Sequence, residues 1–240
     1  MRSLVLTLFS ASFALSARLG REENLSLQSE CSRRFSRSIL NADPVPAHDV
    51  IGQSAVAIVV EGDRRGVCSG TLISPRHVLT ASHCFIPHQC SHSSNQGVRV
   101  HVGAHCIDDP SCRGIEVGIR NYTSFPGFFP SACSQISKVG LDITVVELER
   151  DVHSGLATIA CLPRSAELPK EMIGYGFGDN NFVSGNLGML KLKSVNCPSN
   201  EDRDLFCARS SKFGQNGCNG DSGHGSLQIR AASRPIIHGV

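Results

Sequence analysis

The stretch VCSGTLISPRHVLTASHC, residues 67–84, joins short apolar runs to a histidine that is followed at once by a cysteine. Apolar runs of this length, bounded by turn residues, are typical of β-strands. A second stretch, CNGDSGHG at residues 218–225, places Ser222 between glycines. Glycine permits a tight turn of the backbone, so this pattern predicts a serine presented on a turn. A serine hydroxyl needs a nearby base before it can attack a carbonyl carbon.

Short β-type runs recur along the whole chain, with Gly, Pro, Asn and Ser between them. The runs are SAVAIVV (54–60), VRVHVG (98–103), LDITVVELE (141–149), MLKLKSVNC (189–197), HGSLQIR (224–230) and PIIHGV (235–240). This spacing of strands and turn residues predicts an all-β barrel or sandwich.

The charge of the chain is nearly balanced, with 23 Lys and Arg against 21 Asp and Glu. The sequence therefore offers no basic surface for nucleic acid and no acidic tail typical of disorder, and we expect no nucleic-acid partner. Eleven cysteines indicate an oxidising compartment, in which most of them pair and one is left over.

The N-terminal residues 1–16 have the features of a secretory signal peptide. Arg2 precedes an apolar run over residues 4–15, and small residues follow at the cleavage position. The run is too short to span a bilayer, so we expect a secreted protein that is not held in a membrane. The polar residues 17–38 are predicted to be a pro-segment that contains a proteolytic processing site.

Three side chains supply the parts of a nucleophilic mechanism. Ser222 is the candidate nucleophile, His83 the base, and Asp142 the acceptor that orients the imidazole. The backbone N–H groups of Gly220 and Ser222 are candidate donors to the oxyanion. Each signal has a plainer alternative, because GDSG also forms simple turns, lone histidines are often structural, and Asp often caps a strand.

In the order His, Asp, Ser, these motifs resemble the chymotrypsin-like (trypsin-type, peptidase S1) serine proteases. The matching pieces are CSGTLISPRHVLTASHC, DITVVEL, GYGFG (174–178) and CNGDSG, and the resemblance covers residues 39–240. It implies two packed antiparallel six-stranded β-barrels with the site between them. The second barrel is expected to be incomplete, because 18 residues follow Ser222.

The resemblance also implies a set of disulfides and an activation mechanism. The implied pairs are Cys68–Cys84, Cys197–Cys207 and, tethering the pro-segment, Cys31–Cys161. The pairing of Cys90, Cys106, Cys112 and Cys133 stays open. Cleavage near Arg37 is expected to free an apolar N-terminus at Ile39, whose ammonium pairs with Asp221, although Ser38 stands between Arg37 and Ile39.

Two positions differ from the usual pattern of the family. At the base of the specificity pocket the chain has Asn216, where trypsins have Asp, so a preference for uncharged or polar side chains is expected. After Gly223 the family usually reads Gly-Pro, but this chain has His224-Gly225. His224 is interpreted either as a tolerated substitution or as a side chain that crowds the loop that carries Ser222 (the serine loop, residues 218–225).

His83, His88, Cys90 and His92 form a cluster of potential metal ligands, but their spacing fits no common zinc pattern. We therefore expect no metal and no cofactor. The sequence predicts a secreted serine endopeptidase made as a zymogen, with protein or peptide substrates, an activating protease and inhibitors as partners. The alternative is a catalytically impaired homologue that acts as a binding or regulatory module.

Overall fold

The structure is a computed structural model that describes most of the chain from residue 49 onward. The described residues are 49, 51–60, 63–85, 97–125, 142–153, 155–165, 167–178, 186–197, 206–211, 221–228 and 235–239. The predicted signal peptide and pro-segment lie outside these ranges.

Strands make up nearly all the regular structure of the described residues, which confirms the predicted all-β class. The strands are β1 (Ala55–Val60), β2 (Asp63–Leu72), β3 (His77–Thr80), β4 (Val98–Val102), β5 (Ile115–Ser124), β6 (Thr144–Leu148), β7 (Glu171–Gly176), β8 (Gly188–Val195), β9 (Cys207–Ser210), β10 (Ser226–Gln228) and β11 (Ile236–Gly239). Two short 3₁₀ helices, Gly52–Ser54 and Ser82–Cys84, accompany them. Within the described residues, no helix has the length and apolar character needed to cross a lipid bilayer.

The first six strands form a closed barrel in the order β1-β2-β3-β6-β5-β4. Every neighbouring pair is antiparallel, and β4 closes the barrel by pairing with β1. Closure leaves no unpaired strand edge among the six described strands of the barrel. The barrel is filled by apolar side chains, and Val56, Val78, Val100, Val146 and Leu148 are completely buried.

The second unit, within the described residues, is a five-stranded sheet in the order β11-β10-β7-β8-β9. Its strand pairs are antiparallel as well. A second apolar cluster lies between this sheet and the barrel and includes Ala57, Ile73, Phe177, Leu227 and Ile237. The sequence predicted an incomplete barrel here, and the described strands form an open sheet.

The sequence of strand β1, AVAIVV, is apolar throughout instead of alternating between apolar and polar residues, and the packing of the strand explains this. Successive side chains of a strand point to opposite faces. Val56 and Ile58 point into the barrel, whereas Ala55 and Ala57 belong to the cluster that faces the second sheet. Both faces of β1 are therefore buried, and the small alanines allow the two units to approach closely.

Leu148→Ala should lower the free energy of unfolding by about 2–5 kcal/mol, because Leu148 is completely buried in the barrel and its loss leaves a cavity. The measurement is urea unfolding followed by circular dichroism. Leu156→Ala is the matched control, because that leucine is 42% exposed and its truncation should change stability by less than about 0.5 kcal/mol. Equal effects of the two variants would contradict the assignment of the core.

Candidate active site

His83 is held in place by covalent and hydrogen-bonded connections on both sides. It lies in the 3₁₀ helix Ser82–Cys84, which follows the end of β3 after one intervening residue. Strand β3 pairs with β2 and with β6. A disulfide joins Cys84 to Cys68 of β2, with 6.2 Å between the Cα atoms. The backbone of His83 is therefore fixed to three strands of the barrel.

Asp142 reaches His83 because of the register between β3 and β6. Thr80 pairs with Thr144, so the residues after β3 and before β6 meet at one end of the barrel. Nδ1 of His83 lies 2.6 Å from Oδ2 of Asp142, and the backbone N–H of His83 donates to Oδ1 at 2.9 Å. A carboxylate only accepts hydrogen bonds, so the proton of the imidazole is assigned to Nδ1. The lone pair of Nε2 is then available to accept a proton.

The two side chains change each other's pKa. The hydrogen bond to Asp142 raises the pKa of His83 above its ordinary value, with burial opposing this and the charge of Asp142 adding to it. Burial alone would raise the pKa of Asp142, but the hydrogen bonds and charge of His83 outweigh it, and the pKa of Asp142 is lowered. The side chains remain 45% and 32% exposed, so solvent and ligands reach the pair.

A chain of three hydroxyls lies beside this pair, and the sequence had given no reason to expect it. Ser82 Oγ and Thr144 Oγ1 are 2.8 Å apart, and Thr144 Oγ1 is 2.6 Å from Ser124 Oγ. Ser82 and Thr144 are completely buried. The hydroxyls tie the helix of His83 to β6 and to the end of β5. No sequence motif predicts this contact, because the three residues come from separate segments that meet through the register of the strands.

Ser222 lies in a turn that packs against the same part of the barrel. Its carbonyl oxygen accepts the backbone N–H of Ser69 at 2.7 Å and lies 3.9 Å from Sγ of Cys84. Gly223 has a φ of 80°, which favours glycine, and a Cβ there would collide with Thr80 and with the backbone of Ser69. The backbone of Ser222 therefore lies beside the Cys68–Cys84 disulfide, which anchors the helix of His83.

Asp221 points away from this contact toward the residues that follow β7. Its Oδ1 accepts the backbone N–H of Gly178 at 2.8 Å. A Cβ on Gly176 or on Gly178 would overlap the carboxylate, so the GYGFG motif provides the room for it. Nδ1 of His224 and the backbone N–H of His224 both lie within hydrogen-bond distance of the carbonyl oxygen of Asp221.

Several predicted site residues lie outside the described residues. They are Arg37, Ile39, Asn216 and Gly220, together with Cys31 of the implied tether. The structure therefore brings together His83 and Asp142, and it places Ser222 and Asp221 on one turn nearby. The activation segment, the specificity residue and one of the two oxyanion donors stay sequence-based predictions.

Three disulfides are present among the described residues, and two of them have the pairing that the family resemblance implied. These are Cys68–Cys84 and Cys197–Cys207. The third, Cys106–Cys112, settles one pairing that the sequence left open. Cys161 is also disulfide-bonded, and none of the six cysteines in these three pairs is its partner.

One group of potential metal ligands lies at the site, but its chemistry does not suit a metal. Ligand atoms of Cys68, His83 and Cys84 lie within 4.8 Å of one another. Because the two sulfurs form a disulfide, neither is a thiolate able to bind a metal ion. The other members of the cluster considered from the sequence, His88, Cys90 and His92, lie outside the described residues.

A second buried polar contact links the start of the described chain to the GYGFG strand. Tyr175 donates its hydroxyl to Oδ2 of Asp49 at 2.8 Å, and Oδ1 of Asp49 accepts the N–H of Ile51 at 3.0 Å. Burial, aided by the charge of Asp49, raises the pKa of Tyr175. Asp49 therefore has a structural role, because it holds Tyr175 of β7 by a hydrogen bond. Its position in the sequence, before Val50 and Ile51, gave no indication of this role.

A closed antiparallel barrel packed on a second sheet, with a His–Asp pair at one end of the barrel, is the arrangement of the chymotrypsin fold. Comparison with protein families agrees, because the trypsin family matches residues 41–233. The chain belongs to the trypsin family of peptidase S1 serine proteases.

Three curated proteins show the range of its relatives. Spermosin of Halocynthia roretzi is 27% identical over 194 residues, an alignment that covers 72% of this chain and 46% of spermosin. A venom protease of Bombus pensylvanicus is 32% identical over 72% of this chain and 73% of its own length. A chymotrypsin of Phaedon cochleariae is 24% identical over 84% of this chain and 73% of its own length. The chain thus spans less than half the length of spermosin.

Asp142→Asn should lower the pKa of His83, because the hydrogen bond and the negative charge of Asp142 are what raise it. The measurement is an NMR titration of the His83 ring, assigned with a His83→Gln variant and made on the Ser222→Ala protein to prevent self-digestion. The carboxamide of Asn keeps the size of the side chain. An unchanged pKa would show that the contact between His83 and Asp142 does not form in solution.

Proposed function

We propose that this chain is a secreted serine endopeptidase, made as a zymogen, that cleaves peptide bonds through His83, Asp142 and Ser222. The observation that carries the proposal is the paired contact of His83 with Asp142. One carboxylate binds both the imidazole Nδ1–H and the backbone N–H of His83. The turn of Ser222 packs on the disulfide of the same short helix.

In the proposed mechanism, Nε2 of His83 removes the proton from the hydroxyl of Ser222 as the oxygen attacks the peptide carbonyl. Asp142 keeps the imidazole in the tautomer that exposes this lone pair and stabilises the imidazolium that forms. The raised pKa of His83 makes the neutral imidazole a stronger base. It also moves the lower pH limit of activity upward, because protonated His83 cannot accept a proton.

The tetrahedral intermediate carries its negative charge on the former carbonyl oxygen. The backbone N–H groups of Gly220 and Ser222 are the proposed donors to this oxyanion. His83 then gives its proton to the leaving amine and the C–N bond breaks. In the second half, water attacks the acyl-enzyme, His83 takes the proton from that water, and the proton returns to the oxygen of Ser222 as the acid leaves.

Activation is proposed to act through Asp221. Cleavage near Arg37 frees a new N-terminus whose ammonium group pairs with the Asp221 carboxylate. A carboxylate held away from water gains from a cationic partner, so the pair stabilises the loop that carries Ser222. Gly176 and Gly178 leave space for this carboxylate, and this observation supports the proposal.

The proposed location is extracellular. Disulfide-bonded cysteines at seven described positions fit an oxidising compartment. One relative is named a venom protease, which agrees with a secreted role for this chain. The partners that follow from this function are protein or peptide substrates, an activating protease and protease inhibitors, with neither nucleic acid nor a membrane involved.

The first test is covalent labelling with a fluorophosphonate probe, applied to the chain secreted by cultured eukaryotic cells and cleaved at Arg37. The probe reacts with a serine only when that serine is activated by its base, so the wild type should be labelled and Ser222→Ala should not. Peptide hydrolysis should fall by at least about 10³-fold in the same variant.

No labelling of protein that is cleaved and folded would contradict the proposal. That result would instead support the alternative, a catalytically impaired homologue that binds or regulates other proteins. Circular dichroism and the urea midpoint of the wild type and of Ser222→Ala establish that both chains are folded.

Asn216→Asp should increase kcat/KM for peptides with Arg or Lys before the cleaved bond. A carboxylate at the base of the pocket supplies the charge that an uncharged Asn lacks. We expect a gain of at least about 10-fold relative to a matched Leu peptide, since 1.4 kcal/mol of charge pairing corresponds to a factor of ten. The isosteric Asn216→Leu serves as the control, and an Arg preference equal to that of the wild type would contradict the proposed role of Asn216.

A further inference from the structure

In the described part of the serine loop, residues 221–225, His224 is the polar residue that the proposed mechanism does not use. It stands two residues after Ser222. Its side chain is half-buried. The sequence left open whether this histidine is merely tolerated or crowds the loop, and its contacts in the structure answer that question.

The carbonyl oxygen of Asp221 accepts two hydrogen bonds from His224. The backbone N–H of His224 donates at 2.9 Å, and ring atom Nδ1 lies at 2.8 Å from the same oxygen. A carbonyl has no proton to give, so Nδ1 carries one and donates it. The imidazole therefore supports the loop rather than crowding it.

The ring has a defined seat on the second sheet. Gly174 of β7 lies beneath it, and a Cβ at Gly174 would come within 2.8 Å of ring atoms Cδ2 and Nε2. Strand β10, which begins two residues after His224, pairs Ser226 with Gly174. The absence of a side chain at Gly174 leaves room for the imidazole. The pairing of Ser226 with Gly174 holds this part of β7 next to the ring of His224.

The oxygen that His224 binds belongs to the same peptide group as the N–H of Ser222. A peptide group is planar, so fixing the carbonyl oxygen of Asp221 also fixes the direction of the Ser222 N–H. Hydrogen bonds accepted by a carbonyl polarise the group and strengthen its N–H as a donor. The next peptide group is held separately, by the bond from Ser69 N–H to the carbonyl of Ser222.

We propose that His224 is a positioning residue for the oxyanion donor: its Nδ1–H holds the Asp221–Ser222 peptide so that the N–H of Ser222 points to the developing negative charge. This inference rests on the proposed serine protease function. It deepens that function by giving the side chain of His224 a part in orienting the proposed oxyanion donor.

The test compares His224→Ala with His224→Asn. The amide nitrogen of Asn can occupy the place of Nδ1, so the Asn variant keeps a donor that the Ala variant lacks. For peptide hydrolysis, His224→Ala should lower kcat by on the order of 10-fold to 100-fold with KM little changed, because the contact acts on the transition state. His224→Asn should recover most of this loss. His153→Ala, at an exposed histidine, is the matched control.

A peptide aldehyde inhibitor separates positioning from a general effect on structure. It adds to Ser222 and places a tetrahedral oxygen where the oxyanion forms, so its Ki should rise in His224→Ala in parallel with the fall in kcat/KM. Wild-type kcat, KM and Ki in His224→Ala would overturn the inference. A parallel rise of KM and Ki with unchanged kcat would also overturn it, since that pattern indicates damaged substrate binding.

A measurement that does not depend on enzymatic activity tests the contact of His224 even if His224→Ala does not fold or the wild type is inactive. Ring ¹⁵N NMR of the Ser222→Ala chain should show His224 with its proton on Nδ1. A ring protonated only on Nε2 would overturn the inference whatever the kinetics. A wild type that the fluorophosphonate probe does not label would overturn the proposed protease function, and the NMR result would still decide whether His224 holds the peptide.

Discussion

The backbone and hydroxyl of Ser69 connect the two halves of the candidate site. Its N–H donates to the carbonyl of Ser222 at 2.7 Å, and its carbonyl accepts the hydroxyl of Thr80 at 2.8 Å. Its own Oγ accepts the backbone N–H of Phe177 at 2.9 Å. Ser69 is completely buried, so each of these polar groups must have a protein partner to offset the loss of water. One residue of β2 thus fixes the serine loop, the end of β3 and the residue after β7.

This arrangement explains how two separately built units form a single site. The barrel supplies His83 and Asp142 through the register of β3 and β6, and the second sheet supplies the loop of Ser222 through β7 and β10. Neither unit alone contains both the His83–Asp142 pair and Ser222. The Ser69 contacts and the buried apolar cluster between the units, with Ala57 on one side and Phe177 on the other, set the distance between them.

The sequence predicted the parts of the site that are encoded in short motifs, and it missed those that depend on register. LTASHC and GDSG each lie within a few residues, so the likeness to known proteases predicted His83 and Ser222 as site residues before any fold was considered. The all-β class followed equally from the spacing of strands and turn residues. The contact between Thr144 and Ser82 spans 62 residues of sequence, and the bond from Tyr175 to Asp49 spans 126. Such pairs come together only when strands align, and single residues give no local signal of it.

The glycines around the serine loop are best understood through the side chains that they admit. Gly176 and Gly178 leave space for the carboxylate of Asp221, and Gly174 leaves space for the imidazole of His224. A glycine costs conformational entropy on folding, so three of them in or beside one strand weaken β7 unless the space is used. Here the space holds the carboxylate of Asp221, which accepts the N–H of Gly178, and the imidazole of His224, which donates to the carbonyl of Asp221. The sequence of β7 therefore depends on the shape of the serine loop, and a substitution that fills this space acts on the site without touching Ser222.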